Sequence, residues 1–394
     1  MKPAGLVASL LLMTTGALSA EPDYDKLYLE RFNQVMADGG MMLNYSPMEK
    51  VAGATPYTPL PVAEADEKRI SQKALDAAAN YAQKNNSSAL LVWKDGKIQY
   101  AGYYNGYDAG SQIVSKSLSK PLTAITIGRA IKLGFIGSVD QSVAEFIPEW
   151  KGTAKAAVKI RHLLNMHSGL LPQGYSTDPA HPWNTAYLSY QHGDVLINDY
   201  PLVAEPGTTY GYNNATAELV AIVIERATGQ RYADFLSNEV LAPLGAAGGE
   251  IWVDRKGGLA HSGCCMTLPA ETWLRLAVLL LNNGKAGETQ LLPKDYVQTM
   301  TAPSDHNPHY GLGVWLGHPY KPRRGYTGED GPGPKVLHSE PYTDPKLYLF
   351  DGNANQVVYI MPSFNTVVLR TGAKPPRQPE WDNSVLPNLI AAGL

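Results

Sequence analysis

Ser117-Leu118-Ser119-Lys120-Pro121-Leu122-Thr123-Ala124 is the stretch on which the reading of this chain turns. A hydroxyl and an amine stand three residues apart where an apolar helical pattern begins. Residues at i and i+3 share a helix face, so Ser117 and Lys120 can meet. An alcohol attacks a carbonyl usefully only when a neighbouring group takes its proton, and a lysine can do so where its surroundings favour the neutral amine. The plainer reading makes Ser117 a cap at a surface helix, and the four-residue pattern alone does not decide between them. The pattern predicts a helix to Leu133, stopped by Gly134. Leu118, Leu122, Ile125, Ile127 and Ile131 cover more than one stripe of it, which places it centrally and buried, with Pro121 in or just beyond its first turn.

Outward from this helix the chain divides. Residues 21–62 are polar and irregular and read as an N-terminal arm, followed by a helical pattern over 63–84. Ala89 to Trp93 and Ile98 to Tyr104 flank Asp95-Gly96, a hairpin signal. From about 140 to 284 the pattern is mostly helical, with Asn214 as a candidate cap for a helix ended by Gly229. Strand patterns return at 348–350, 356–361 and 366–370. Strands at both ends with helices between predict an α/β fold: an antiparallel sheet domain built from both chain ends, plus an inserted, mostly helical domain. A cleft between the two is a natural place for an active site.

The chain has 394 residues, 44% of them hydrophobic and 18% charged, which suits a globular protein with a large core. A net charge of −3 leaves no electrostatic footprint for nucleic acid or an anionic membrane. Lys2, the apolar run Leu6 to Met13 and the small residues Gly16, Ala17, Ser19 and Ala20 form a secretory leader pattern. Residues 1–20 are expected to be removed near Ala20, leaving a periplasmic or secreted protein with no membrane span. The two cysteines, Cys264 and Cys265, are adjacent, and two free thiols are expected because bridging neighbours strains the peptide. Neither they nor His261 show a recognised metal spacing, so no metal is expected.

Other segments add to the opening motif. Val158 to Leu170, Glu205-Pro206-Gly207-Thr208 with Tyr210-Gly211-Tyr212-Asn213-Asn214, Gln290-Leu291-Leu292-Pro293 with the preceding Asn283-Gly284, and Tyr310-Gly311-Leu312-Gly313 follow in order. With these, the chain resembles the serine β-lactamase-related hydrolases: class C β-lactamases, DD-peptidases, β-lactamase-like esterases and 6-aminohexanoate-dimer hydrolases. The resemblance runs over most of the sequence that follows the expected leader. It implies a β-lactamase/DD-peptidase-like fold, with Tyr212 facing Ser117 and Lys120 as a second base and Asn214 near the substrate. From the residues alone Tyr212 is one of 23 tyrosines and reads far more readily as a core aromatic.

The family's third motif, K-T-G or H-x-G, is altered here to Asp351-Gly352-Asn353. Gly352 keeps the position where backbone must approach substrate, and the resemblance implies an oxyanion hole from the N–H groups of Ser117 and Asn353. Asp351 stands where a cation meets the substrate carboxylate, so neutral substrates are expected to be preferred and penicillins to be poor ones. The expected activity is ester or amide hydrolysis of a small molecule through an acyl-enzyme on Ser117, with no cofactor. The alternatives are a β-lactamase or DD-peptidase, or a catalytically silent binding protein on the same fold.

Overall fold

The computed structural model describes residues 22–40, 42–328, 331 and 333–394, and the expected leader lies outside them. A six-stranded antiparallel sheet forms the frame, in the order Lys97–Tyr103, Ser87–Lys94, Thr366–Gly372, Gln356–Met361, Tyr348–Gly352, Trp315–Leu316. Both chain ends feed it, as the strand pattern predicts. Asp95 and Gly96 turn the first hairpin with φ of +49° and +93°. Both values are positive, as a two-residue turn matched to strand twist requires.

Side chains alternate across a strand. Leu91, Trp93, Val358, Ile360, Val367 and Leu369 therefore enter one core, and Leu90, Val92, Val357, Tyr359 and Val368 the other. Helix Ala270–Leu281 packs on the first face; Gln72–Lys84, joined by Val385–Ala391, covers the second. With both faces buried, the strands need no polar face, and so they read as unbroken apolar runs.

The middle of the chain is helical, but not wholly. Gly249–Trp252 and Met266–Leu268 join Met48–Val51 and Ile113–Val114 in a second antiparallel sheet. Strands of two to four residues carry too little alternation to announce themselves. The N-terminal arm is likewise more ordered than its composition suggests. Helix Tyr24–Ala37 starts at Asp23, whose side chain accepts from the Lys26 N–H, and packs Phe32 and Val35 against Leu188. Arg31, on the same helix, is buried and donates to the carbonyls of Leu188 and Ser46. Cys264 and Cys265, expected as free thiols, are joined in a disulfide. No helix among the described residues is long and apolar enough to cross a membrane.

Candidate active site

Ser117 lies in a short 3₁₀ turn, Lys116–Leu118, that runs directly into helix Ser119–Lys132. Pro121 falls in the first turn of that helix, where its missing N–H costs nothing. The second sheet anchors the turn: the Ser115 N–H donates to the Met266 carbonyl at 2.8 Å, and the Met266 N–H to Ser115 Oγ at 3.1 Å. Lys116, just before Ser117, has φ of +50°. A non-glycine residue held there costs roughly 1–3 kcal/mol and persists only where its surroundings enforce it. Here the Lys116 ammonium is tied to Tyr45 Oη at 2.7 Å.

Lys120 is 2% exposed, and its three N–H donors are all engaged. They reach Ser117 Oγ at 3.1 Å, Asn214 Oδ1 at 2.7 Å and the Gly263 carbonyl at 3.2 Å. The cap of helix Asn214–Thr228 is Asn213, whose side chain accepts from the Ala215 N–H. That assignment corrects the cap reading of Asn214 and leaves the Asn214 amide free for the lysine. Gly263 lies so close to the same helix that a Cβ there would meet the Ala217 Cβ at 2.6 Å. A side chain at 263 would push the accepting carbonyl away from Lys120.

Tyr212 is packed among Trp315, Tyr310 and Tyr326, with its ring centroid 5.0 Å from the Lys120 nitrogen. The Tyr212 carbonyl accepts from the Gln173 N–H and the Gly211 N–H donates to the Met166 carbonyl, so the loop carrying the tyrosine is fixed at both sides. Ser117, Tyr212, Tyr326 and Asn353 line one cavity of about 520 Å³, walled further by Trp381 and by the segment 374–378.

Of the third-motif residues, Gly352 and Asn353 reach this site and Asp351 does not. A Cβ on Gly352 would stand 3.2 Å from the Ser117 nitrogen, so only glycine lets the strand lie against the Ser117 turn without crowding it. Asp351, on the same strand, points to the opposite side. It is 2% exposed, ion-paired with Arg324, and accepts from Tyr326 Oη at 3.3 Å. The Arg324 guanidinium in turn stacks 4.1 Å from the Trp315 ring centroid. The expected place of Asp351 in the substrate site is thus corrected: strand alternation turns it inward, and its charge is answered by Arg324.

Arg370 was not visible in the sequence as part of the site. From strand Thr366–Gly372 it donates to the carbonyls of Ala354, Asn355, Asn85 and Ala373 and to Ser87 Oγ, at 2.6 to 2.9 Å. Ala354 and Asn355 both have positive φ, so Arg370 holds the tight turn that presents Asn353. Arg370→Met is expected to lower unfolding stability by at least about 3 kcal/mol, since each buried carbonyl left without a donor costs roughly 1–3 kcal/mol. A urea midpoint close to that of the unsubstituted protein would contradict this role.

Behind Lys120 lies a second polar group. Glu218 and His261 are fully buried, with Glu218 Oε2 accepting from the Gly263 N–H at 3.3 Å and lying 3.7 Å from His261 Nδ1. Burial pushes the Glu218 carboxyl up to about 8, against the pull of the Gly263 N–H and of the Lys120 charge. His192 Nδ1 bonds to Asp254, and its ring stacks on His261 with centroids 3.9 Å apart and 12° between planes. The His192, Glu218 and His261 ligand atoms lie within 4.8 Å of one another. Imidazole lone pairs lie in the ring plane, however, so stacked rings aim them in parallel rather than at one point, and the set is not built as a metal cage.

The β-lactamase family model matches residues 72–380. The chain is 25% identical over 300 residues to a 6-aminohexanoate-dimer hydrolase of Paenarthrobacter ureafaciens, covering 73% of this chain and 74% of that one. Among solved structures it is similar to a Bacillus anthracis protein provisionally described as a 6-aminohexanoate-dimer hydrolase, at 19% identity and TM-score 0.68, covering 88% and 90% of the two chains. It is also similar to EstCE1, a hydrolase with promiscuous acyltransferase activity, at 16% identity and TM-score 0.61, covering 82% and 98%. The matched span takes in the Ser117 turn, the Tyr212 loop and the strand bearing Gly352, and this chain belongs to the β-lactamase family.

Proposed function

We propose that this protein is an exported serine hydrolase that cleaves an ester or amide of a small substrate through an acyl-enzyme on Ser117. The observation that carries the reading is Lys120 Nζ at 3.1 Å from Ser117 Oγ, with Ser117 and Tyr212 opening on one cavity. Ser117 Oγ attacks the carbonyl carbon while its proton passes to the Lys120–Tyr212 pair. The N–H groups of Ser117 and Asn353 hold the developing oxyanion, whose charge appears only on the way to the tetrahedral intermediate. Tyr212 returns the proton to the leaving alcohol or amine, and water then releases the acyl group by the same steps in reverse. Export rests on the leader pattern of residues 1–20. Intact-mass spectrometry after incubation with a panel of esters tests the reading. One added acyl group, mapped to Ser117, is expected; turnover without any adduct at Ser117 would overturn it.

The expected preference for neutral substrates loses its basis, because Asp351 is paired with Arg324 away from the cavity. Among the described residues, the charged groups lining the cavity are Lys335, Lys374, Arg377 and Glu380, and Glu380 is paired with Arg323. A substrate carboxylate would therefore meet net positive charge, which keeps a β-lactamase or DD-peptidase activity as the second reading. These cations are exposed, so each contributes only about 1 kcal/mol at contact distance in water. Carboxylate-bearing esters are expected to show kcat/KM a few-fold above matched neutral ones at low salt, with the advantage fading in Lys374→Ala/Arg377→Ala and in high salt. A salt-independent preference for the neutral ester would contradict this.

A further inference from the structure

Helix Asn214–Thr228 presents two polar side chains to the same place. Asn214 and Glu218 are one helical turn apart and share a face. Asn214 accepts directly from Lys120, and Glu218 accepts from the N–H of Gly263, whose carbonyl accepts from Lys120. The lysine and the glutamate therefore grip the same residue from opposite sides. The second Glu218 oxygen, Oε1, is buried with no hydrogen-bond partner among the described residues. A glutamate placed here only to satisfy the Gly263 N–H leaves that oxygen without purpose; as a charge beside the catalytic lysine it has one.

We propose that Glu218 is a positioning residue of this centre: a buried counter-charge that acts on Lys120 across Gly263 and sets how firmly the lysine holds its proton. The inference rests on reading Lys120 as the base that activates Ser117.

The titratable groups around Glu218 leave Lys120 as its counterpart. Tyr187 comes from helix Pro182–Leu188, Tyr232 from helix Tyr232–Phe235, His192 from the short turn 192–194, and His261 from the loop before strand Met266–Leu268. Burial holds both tyrosines above their ordinary range and His261 well below its own, so these three stay uncharged at neutral pH. His192 is hydrogen-bonded to Asp254. Lys120 is the cation whose charge acts on Glu218. Such coupling is reciprocal: charge on either member favours charge on the other. When Ser117 gives up its proton an ammonium forms at Lys120, and an ionised Glu218 stabilises it. With burial pushing the carboxyl up to about 8, that ionisation falls across the range in which a hydrolase is assayed.

The test is the pH profile of kcat/KM for a p-nitrophenyl ester, with the full chain and its Glu218→Gln variant. Glutamine keeps an acceptor for the Gly263 N–H and removes the charge. The acid limb is expected to move to lower pH by about one unit, with the plateau falling a few-fold, because a lysine without its counter-charge is a weaker base. The rate of fluorophosphonate labelling at Ser117 should shift in parallel. A purely structural glutamate would lower the rate without moving the limb, and an unmoved limb overturns the proposal. If Glu218→Gln does not fold, Glu218→Met removes both charge and polar group and is read by the same limb. Lys120→Ala separates the two failures. Unchanged turnover in Lys120→Ala overturns the base reading itself, whereas an inactive Lys120→Ala beside an unmoved Glu218→Gln limb overturns only the role of Glu218.

Discussion

Ser117→Ala is expected to reduce hydrolysis of p-nitrophenyl esters to background, a loss of about 10⁴-fold or more in kcat, while the protein stays folded. The loss is expected to be large because the other candidate nucleophiles among the described residues are buried and engaged elsewhere. Ser168 and Ser262 are each 2% exposed: the Ser168 hydroxyl accepts from the Leu170 N–H, and the Ser262 hydroxyl donates to the Ala217 carbonyl at 2.7 Å. Cys264 is held in its disulfide with Cys265. The structural cost is small, since Lys120 keeps Asn214 and Gly263 as acceptors and loses one hydrogen bond worth about 1 kcal/mol. Circular dichroism and a urea titration establish folding; ester turnover and adduct mass read the chemistry. Near-normal turnover, or an adduct on Ser168, Ser262 or Cys264, would remove Ser117 from the mechanism.

What the sequence makes legible follows from how local the signal is. The i, i+3 meeting of Ser117 and Lys120 is a property of one turn and the helix it runs into, and the Asp95-Gly96 turn is a property of one hairpin; both contacts are local and both form. Five strands of the six-stranded sheet are legible because they are apolar runs of five to eight residues, whereas the two-residue edge strand Trp315–Leu316 is not. The second sheet is not, since its strands are short and paired across two hundred residues, Met48–Val51 with Gly249–Trp252. The same distinction runs through the site. Asp351 was placed by its neighbours in sequence, yet its orientation depends on strand alternation and on Arg324, twenty-seven residues away. Arg370 and Glu218 carry no motif at all; only the fold shows that one holds the turn behind Asn353 and the other the residue behind Lys120. One signal was available: a charged residue inside an otherwise apolar run, as in Thr366–Gly372 and Asn214–Thr228, marks a buried polar contact whose partner the sequence does not name.

Lys120→Ala and Tyr212→Phe are each expected to cost about 10² or more in kcat, the scale of a lost acid–base group. The double variant should lose little beyond the worse single. In the proposed mechanism lysine and phenol serve one proton, a reading supported by the Lys120 nitrogen lying 5.0 Å from the Tyr212 ring centroid and bonding to Ser117 Oγ. Removing either breaks the transfer, after which the other has nothing to complete, and residues that act as a unit give such non-additive losses. Tyr212→Phe is the cleaner probe, because the ring keeps its packing against Trp315, Tyr310 and Tyr326 and only the hydroxyl goes. Lys120→Ala also strips a donor from Asn214 and Gly263, so its stability must be measured beside its rate. Single-turnover acylation isolates the step in which the proton leaves Ser117. Losses that multiply in the double variant would mean that the two groups act independently. Full activity in Tyr212→Phe would return the tyrosine to the wall of the cavity and leave Lys120 as the sole base.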